Sequence, residues 1–307
     1  MKVTSVNISD AKGTSKHPVK EIEIDERGIV GDAHAAHWHR QVSILSDEII
    51  RDFETETGRK TTPGEFAENL TTNGLDLRAV GILDHLFVGD VDLEVTQIGK
   101  ECHGDTCAIF KEVGRCVMPK EGLFARVVQG GTVKPGQPVQ HVPRPLTIRI
   151  ITVSDRAARG DYEDRSGPRI RELLDGFFAD RRWHEQYETA LVPDDADMIR
   201  NELRLARDEA VDVVFTTGGT GIAPRDVTPD VASELIDREI PGIMEHIRVK
   251  FGAEKPNALL SRSIAGTMKR TLVYTLPGSV KAVEEYMREI LKTLEHLICT
   301  IHGLDRH

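Results

Sequence analysis

The sequence predicts two domains: a mostly β, barrel-like domain over residues 1–143, and a three-layer α/β domain with a mainly parallel sheet over 146–307. Three observations carry that expectation. The first half is written in short alternating runs, VTSVNI, KEIEI, DLEVTQI and LFARVV, punctuated by glycines, which is the pattern of antiparallel strands joined by turns. The second half alternates apolar runs of strand length with longer stretches of helical period, as expected of a parallel sheet covered by helices on both faces. Between them, His141-Val142-Pro143-Arg144-Pro145 carries paired prolines. Proline resists helix interiors and central strands, so the join reads as a short, semi-rigid linker.

Bulk properties narrow the partners. At 307 residues the chain can bury two cores. A formal net charge of -10 argues against a general nucleic-acid or anionic-membrane binder, although a local site can still hold an anion. MKVTSVNISD has no signal-peptide apolar region, and no run reaches membrane-spanning length. Cysteines at 102, 107, 116 and 299 do not form a disulfide framework, so a reducing cytoplasm is expected.

In chain order, a helix is expected near 46–53, then strands through the rest of the first half. In the second half 146–153 reads as a buried strand. Ile170, Leu173, Leu174, Phe177 and Phe178 fall at the spacing of an amphipathic helix within 165–182. Further on, the pattern predicts a strand near 187–192, a helix over 196–210, a strand over 211–215, a helix over 229–238, a strand over 270–276 and a helix over 280–301.

The most informative stretch is VDVVFTTGGTGIAPRDVTPD. Its apolar run reads as a buried strand. Gly218, Gly219 and Gly221 lack a Cβ, so their amides can turn towards a bound anion at close range. Thr228 reads as an N-cap and Pro229 as the first helical residue. No Lys-Ser or Lys-Thr comes after the glycines, so this is not a Walker A loop, and the spacing is not Gly-x-Gly-x-x-Gly.

The segments after the other strands have the same character: Ser154-Asp155-Arg156, Pro193-Asp194-Asp195 and Pro277-Gly278-Ser279. In a parallel sheet the carboxyl ends share one edge, where ligands bind, so these motifs should converge. Asp194 and Asp226 are candidate Mg²⁺ ligands, because magnesium takes one or two carboxylates plus phosphate oxygens and waters. Arg156 and Arg225 can neutralise phosphate. No Ser-His pair suggests covalent catalysis, and in-line transfer at phosphorus needs mainly positioning and charge stabilisation.

Two clusters mark the first half. His34, His37 and His39 lie within GDAHAAHWHRQ; they suit a metal, a polar pocket wall or an anion contact, and on a strand His37 and His39 would share a face. Cys102, His103, Cys107 and Cys116 suit zinc ligands, buried apolar thiols or a reactive thiol near Lys100 and Arg115.

The string TTGGTGIAPRDVTPD closely resembles the signature of the molybdopterin-binding domain family, and within it the molybdopterin adenylyltransferases of molybdenum cofactor synthesis. TVSDRAARGDYEDRSGP, LVPDD, REIPGIMEHIR and LSRSIAGTMKRTLVYTLPGS fall in the family's order. The resemblance implies Mg²⁺-dependent adenylyl transfer, in which the terminal phosphate of molybdopterin attacks the α-phosphorus of ATP and pyrophosphate leaves. It carries the essential aspartates onto Asp194 and Asp226. Pterin and phosphate contacts fall on Ser154, Asp155, Gly218, Gly219, Gly221, Pro277, Gly278 and Ser279, and Arg156, Thr220 and Arg225 join them as candidate cofactor-binding residues. Members are commonly trimers. Ile222-Ala223-Pro224-Arg225 is a stretch in which many members vary.

GIVGDAHAAHWHRQVSILSDE, TPGEFAENLTTNGLDL, VTQIGKECH and EGLFARVVQGGTVKPGQPV together resemble the molybdenum cofactor sulfurase C-terminal (MOSC) domain. That implies a β-rich domain whose key cysteine carries sulfur or meets the molybdenum centre, with the molybdenum cofactor as its ligand. The matching segment holds Cys102 and Cys107, and Cys107 is the preferred match because Ala-Ile-Phe comes directly after it. The histidine and arginine segment would line the cofactor pocket. The implied whole is a bifunctional cofactor enzyme, meeting a molybdenum insertase, a sulfur donor or a molybdoenzyme, with no pyridoxal phosphate site. The alternatives are a non-catalytic carrier or storage protein for the pterin, or a MOSC domain acting as a molybdenum-dependent reductase of N-hydroxylated compounds. Molybdenum and tungsten are not separable from the sequence.

Overall fold

The computed structural model describes residues 1–100, 110 and 116–304. The chain separates into two compact units, Met1–Arg144 and Pro145–His307.

The first unit is mostly β. Its strands are β1 (Lys2–Ile8), β2 (His17–Val19), β3 (Ile22–Asp25), β4 (Gly28–Ile29) and β5 (Val42–Ser46). After helix α1 (Asp47–Thr57) come β6 (Leu70–Asn73), β7 (His85–Val88) and β8 (Val91–Ile98). Helix α2 (Met118–Glu121) precedes β9 (Leu123–Gln129), β10 (Gly131–Val133) and β11 (Val139–Val142). Eight strands form one sheet in the order β11-β7-β8-β9-β5-β6-β1-β2, and β10-β3-β4 form a second. Val3 N–H donates to the Gln137 carbonyl at 2.9 Å and Val139 N–H to the Met1 carbonyl at 3.2 Å, which ties the start of β1 to the start of β11. Alternation decides what is buried: Ile22 and Ile24 of β3 face the core while Glu23 and Asp25 face out.

Helix α1 begins where the sequence signals it. The Ser46 side chain accepts from Ile49 N–H, and Asp47 and Glu48 occupy the first turn, where the helix dipole favours carboxylates. Gly58 ends it in the left-handed conformation at φ 69°.

The second unit opens with β12 (Pro145–Val153), α3 (Asp155–Ala158), α4 (Ser166–Phe178), β13 (His184–Val192) and α5 (Ala196–Asp208). It continues with β14 (Val213–Thr217), α6 (Thr228–Leu235), β15 (Arg238–Glu239) and α7 (Pro241–Gly252). A 3₁₀ turn (Pro256–Leu260), β16 (Ala265–Met268), β17 (Thr271–Leu276) and α8 (Val280–Ile301) complete it. The sheet order is β13-β12-β14-β17-β16-β15. The first four strands are parallel; β16 pairs antiparallel with β17, and β15 pairs antiparallel with β16. The sheet is therefore mixed, with four parallel strands and an antiparallel edge. The sequence hides this because β16 (AGTM) and β15 (RE) lack the apolar run that marks a strand buried on both faces.

Ile151 and Val153 of β12 pack with Ile199 and Leu203 of α5 and Val231 of α6. Successive strand residues alternate between faces, and α4 and α8 pack together and on β12 and β17. Strand β14 starts at Val213, two residues later than expected. Asp212 is buried because its Oδ2 accepts from Thr147 N–H at 2.9 Å and its Oδ1 lies 3.0 Å from His302 Nε2. Helix α7 was not expected; only Met244, Ile247 and Gly252 are buried along it, too narrow a stripe to register as a helical period. Thr228 is the first helical residue of α6 rather than its cap. Val227 occupies the cap position with no side-chain bond.

Candidate active site

The parallel strands β12, β13, β14 and β17 end on one edge of the sheet, and the segments after them line a single cleft of about 1130 Å³. Ser154, Asp155, Arg156, Asp194, Gly218, Gly219, Thr220, Gly221, Asp226, Pro277, Gly278 and Ser279 all lie on its wall. Residues up to 125 positions apart in sequence meet there because parallel strands share their carboxyl edge.

Two of the hydroxyls serve structure as well. Ser154 Oγ accepts from Ala157 N–H at 3.3 Å, and Ser279 Oγ accepts from Ala282 N–H at 3.3 Å. Each caps the helix directly after its strand, α3 and α8.

The glycine loop between β14 and α6 explains its own composition. Gly218 sits at φ +108°, and a Cβ there would lie 2.1 Å from the Val153 carbonyl oxygen. Gly219 sits at φ +62°, and a Cβ would lie 2.4 Å from Thr228 Oγ1 and 3.3 Å from Asp194 Oδ1. A Cβ on Gly221 would lie 2.6 Å from Asp226 Oδ2. Each carboxylate thus packs directly against a glycine of the same loop. The amides are not equivalent. Gly218 N–H donates to the Leu276 carbonyl at 2.9 Å and is committed to the fold. Among the described residues, the amides of Gly219, Thr220 and Gly221 donate to no protein acceptor, which leaves them for an anion.

The carboxylates are held by one oxygen each. Asp194 Oδ2 accepts from Asp155 N–H at 2.9 Å, and Asp194 N–H donates back to Asp155 Oδ1 at 3.2 Å. Asp226 Oδ2 accepts from Ala223 N–H at 2.8 Å. Among the described residues Asp194 Oδ1 and Asp226 Oδ1 accept no hydrogen bond. Two carboxylates with one spare oxygen each, beside free amides, fit a magnesium ion that keeps waters and phosphate oxygens as its other ligands.

The arginines divide. Arg156 lines the cleft and stacks over Tyr162, 5.5 Å from the ring centroid. Arg225 does not line it: its Nη2 donates to Asp155 Oδ1 at 2.8 Å and to the Asp194 carbonyl at 3.2 Å. It holds a carboxylate of the site instead of standing free for phosphate.

Sequence reasoning passed over several contributors. Asp164 Oδ1 accepts from the amides of Ser166 (2.9 Å) and Gly167 (3.2 Å), and its Oδ2 accepts from Thr152 Oγ1 at 2.6 Å. It thereby fixes the start of α4 on the cleft wall. Lys255, which pairs with Glu285, and Tyr286 also line the cleft. The Tyr286 hydroxyl is buried and has no hydrogen-bond partner among the described residues. The only advance signal was that Asp164 falls inside the TVSDRAARGDYEDRSGP motif.

In the first unit Cys102 and Cys107 lie outside the described residues. Cys116 is half-buried and packs on the core. Residues 31–40 form turns and bends, not a strand, so the shared face expected for His37 and His39 does not arise. His34 is instead drawn into a buried polar cluster. Asp32 accepts from His34 N–H (2.9 Å), Lys16 Nζ (2.5 Å), Ser9 N–H (3.0 Å) and Asn69 Nδ2 (3.2 Å), with His34 Nδ1 3.0 Å away. Burial pulls the Lys16 ammonium below its usual range against the raising effect of Asp32. Burial pushes Asp32 up, but hydrogen bonds from His34 and Lys16 outweigh it and hold Asp32 well below the usual carboxylate range. Among the described residues, no trio of potential metal ligands includes His34, His37, His39 or Cys116.

Both units have counterparts among known proteins. Residues 149–296 match the family model described as a probable molybdopterin binding domain, and residues 31–140 match the MOSC domain model. The molybdopterin adenylyltransferase of Haemophilus influenzae is 38% identical over 146 residues, 47% of this chain and 73% of that protein. The molybdenum cofactor synthesis protein cinnamon of Drosophila melanogaster is 38% identical over 154 residues, but this chain spans only 25% of its length. The solved structure of the molybdopterin biosynthesis enzyme MoaB from Thermus thermophilus is 40% identical, with 52% of this chain and 97% of that chain covered and a TM-score of 0.47. The chain belongs to the molybdopterin-binding domain family of molybdenum cofactor biosynthesis proteins, and it carries a MOSC domain ahead of that family's domain.

Proposed function

We propose that the second unit adenylylates molybdopterin with Mg-ATP. One observation carries this reading: Asp194 and Asp226 pack against a single glycine loop, and all three line the same cleft. In the reaction, a terminal phosphate oxygen of molybdopterin forms a bond to the α-phosphorus of ATP. The bond from that phosphorus to the bridging oxygen breaks, and pyrophosphate leaves. The amides of Gly219, Thr220 and Gly221 stabilise phosphate oxygens without adding a mobile charge. Asp194 and Asp226 hold the magnesium ion, which offsets charge on the phosphates when bound. Arg156, on the cleft wall, adds a cation towards the anionic substrates.

The cleft volume supports the pairing of substrates, since about 1130 Å³ exceeds what one drug-sized ligand fills. The MOSC unit handles sulfur or the finished cofactor, with Cys107 ahead of Cys102 as its reactive residue. We further propose that the protein works as a homotrimer in the cytoplasm, beside a molybdenum insertase, a sulfur donor or a molybdoenzyme. The test is direct: incubate the full chain with molybdopterin and Mg-ATP and look for adenylylated pterin by mass spectrometry. Stoichiometric pterin binding with no adenylylated product would point to a carrier instead.

A further inference from the structure

The geometry points to Arg262 as the positioning residue that sets Asp226 and the glycine loop for catalysis, an inference that rests on the adenylyl-transfer reading above. Arg262 lies just before β16 and reaches the loop at three points and the helix after it at a fourth. Its own N–H donates to the Thr220 carbonyl at 2.9 Å. Its Nε donates to the Gly221 carbonyl at 2.7 Å, and its Nη2 donates to the Asp226 carbonyl. Its Nη1 bridges both carboxylate oxygens of Asp230, at 2.8 and 2.9 Å, in the first turn of α6.

These bonds straddle the turn that matters. Gly221 contributes a free amide to the cleft, and the Asp226 carboxylate packs where a Gly221 side chain would be. Between them Asp226 Oδ2 holds Ala223 N–H, and Asp226 N–H holds the Ala223 carbonyl at 2.9 Å. A single guanidinium therefore fixes both sides of the turn and anchors it to α6. Arg262 does not itself line the cleft, although its neighbour Ser261 does. It grips the loop through backbone carbonyls, outside the lining of the cleft. Lysine cannot replace it, because an ammonium is a compact point donor, whereas the planar fork spans several acceptors at fixed angles.

A loop bearing a metal-binding carboxylate loses rate steeply when misplaced by about 1 Å. In the full-length chain, R262K should lower kcat at least about tenfold and raise the half-saturating Mg²⁺ concentration about threefold or more, with KM for molybdopterin within about twofold. A purely structural role would lower the amount of folded enzyme without moving the magnesium dependence. Amide hydrogen exchange reads the same claim without any reaction: at the bonded amides of Ala223, Asp226 and Thr228, R262K should exchange at least about tenfold faster than wild type, with α5 unchanged. Wild-type exchange in R262K, or a wild-type kcat and magnesium dependence, would overturn the assignment. A wild-type protein that makes no adenylylated product would remove the reaction reading, while the exchange comparison would still decide whether Arg262 sets the loop.

Discussion

Asp155 and Asp194 hold one another through reciprocal bonds, Asp155 N–H to Asp194 Oδ2 at 2.9 Å and Asp194 N–H to Asp155 Oδ1 at 3.2 Å. The loops after β12 and β13 are thereby locked in register at the cleft. The Asp155 carboxylate also receives Arg225, so it gathers three segments of chain. D155A should leave the Asp194 amide and Arg225 without that acceptor. The expected stability loss is about 1 kcal/mol, with adenylyl transfer reduced about tenfold because Asp194 is no longer oriented. Chemical denaturation and steady-state kinetics on the same preparation separate the two effects. An activity loss no larger than the loss of folded protein would contradict the positioning role.

Gly219 and Gly221 should fail differently. At Gly219 a side chain meets the buried Thr228 hydroxyl and a left-handed backbone together, so G219A should lower both the melting temperature and the rate. At Gly221 the obstacle is the end of the Asp226 side chain, which can swing away. G221A should therefore keep stability within about 1 kcal/mol of wild type and still lose at least about tenfold in kcat. Equal stability losses in the two variants would contradict the distinction.

In the MOSC unit, Glu68 is wholly buried; its Oε1 accepts from Gly64 N–H at 2.6 Å and Thr71 Oγ1 at 3.2 Å, while its Oε2 has no partner among the described residues. Burial raises its pKa from 4.5 to about 7. Because the folded state keeps a proton that the unfolded state gives up near pH 4.5, stability should fall as pH rises from about 4.5 through 7. The full effect is roughly 3 kcal/mol. E68Q should remove this slope. The check is the difference between wild-type and E68Q unfolding free energies at about pH 5 and about pH 8. A difference that does not change with pH would contradict a protonated Glu68.

Much of the cleft was legible because its residues stand in contiguous motifs at strand ends. Asp194, the glycine loop, Asp226 and Ser279 could be picked out, and the rule that parallel strands share their carboxyl edge brought them together. The illegible part depends on which group bonds to which across the fold. Arg225 and Arg156 look equally suited to phosphate, yet one pairs with Asp155 and the other lines the cleft. Gly218 resembles its neighbours, yet its amide is spent on Leu276. Arg262 acts on residues about forty positions away through its guanidinium, and spacing carries no trace of that. In the fold, α7 and the antiparallel β15–β16 edge escaped because too few of their residues are apolar to show a period. His34 could not be separated from His37 and His39 until Asp32 and Lys16 were seen to enclose it.

In the proposed reaction Asp194 and Asp226 act as one unit on a single triphosphate. Pyrophosphate release with molybdopterin and Mg-ATP, compared across wild type, D194N, D226N and the double variant, tests it most directly. Residues that share one metal should be strongly non-additive. Each single variant should lose nearly all release, and the double should be no slower than the worse single. A single variant that releases pyrophosphate at the wild-type rate, or losses that multiply in the double variant, would contradict it.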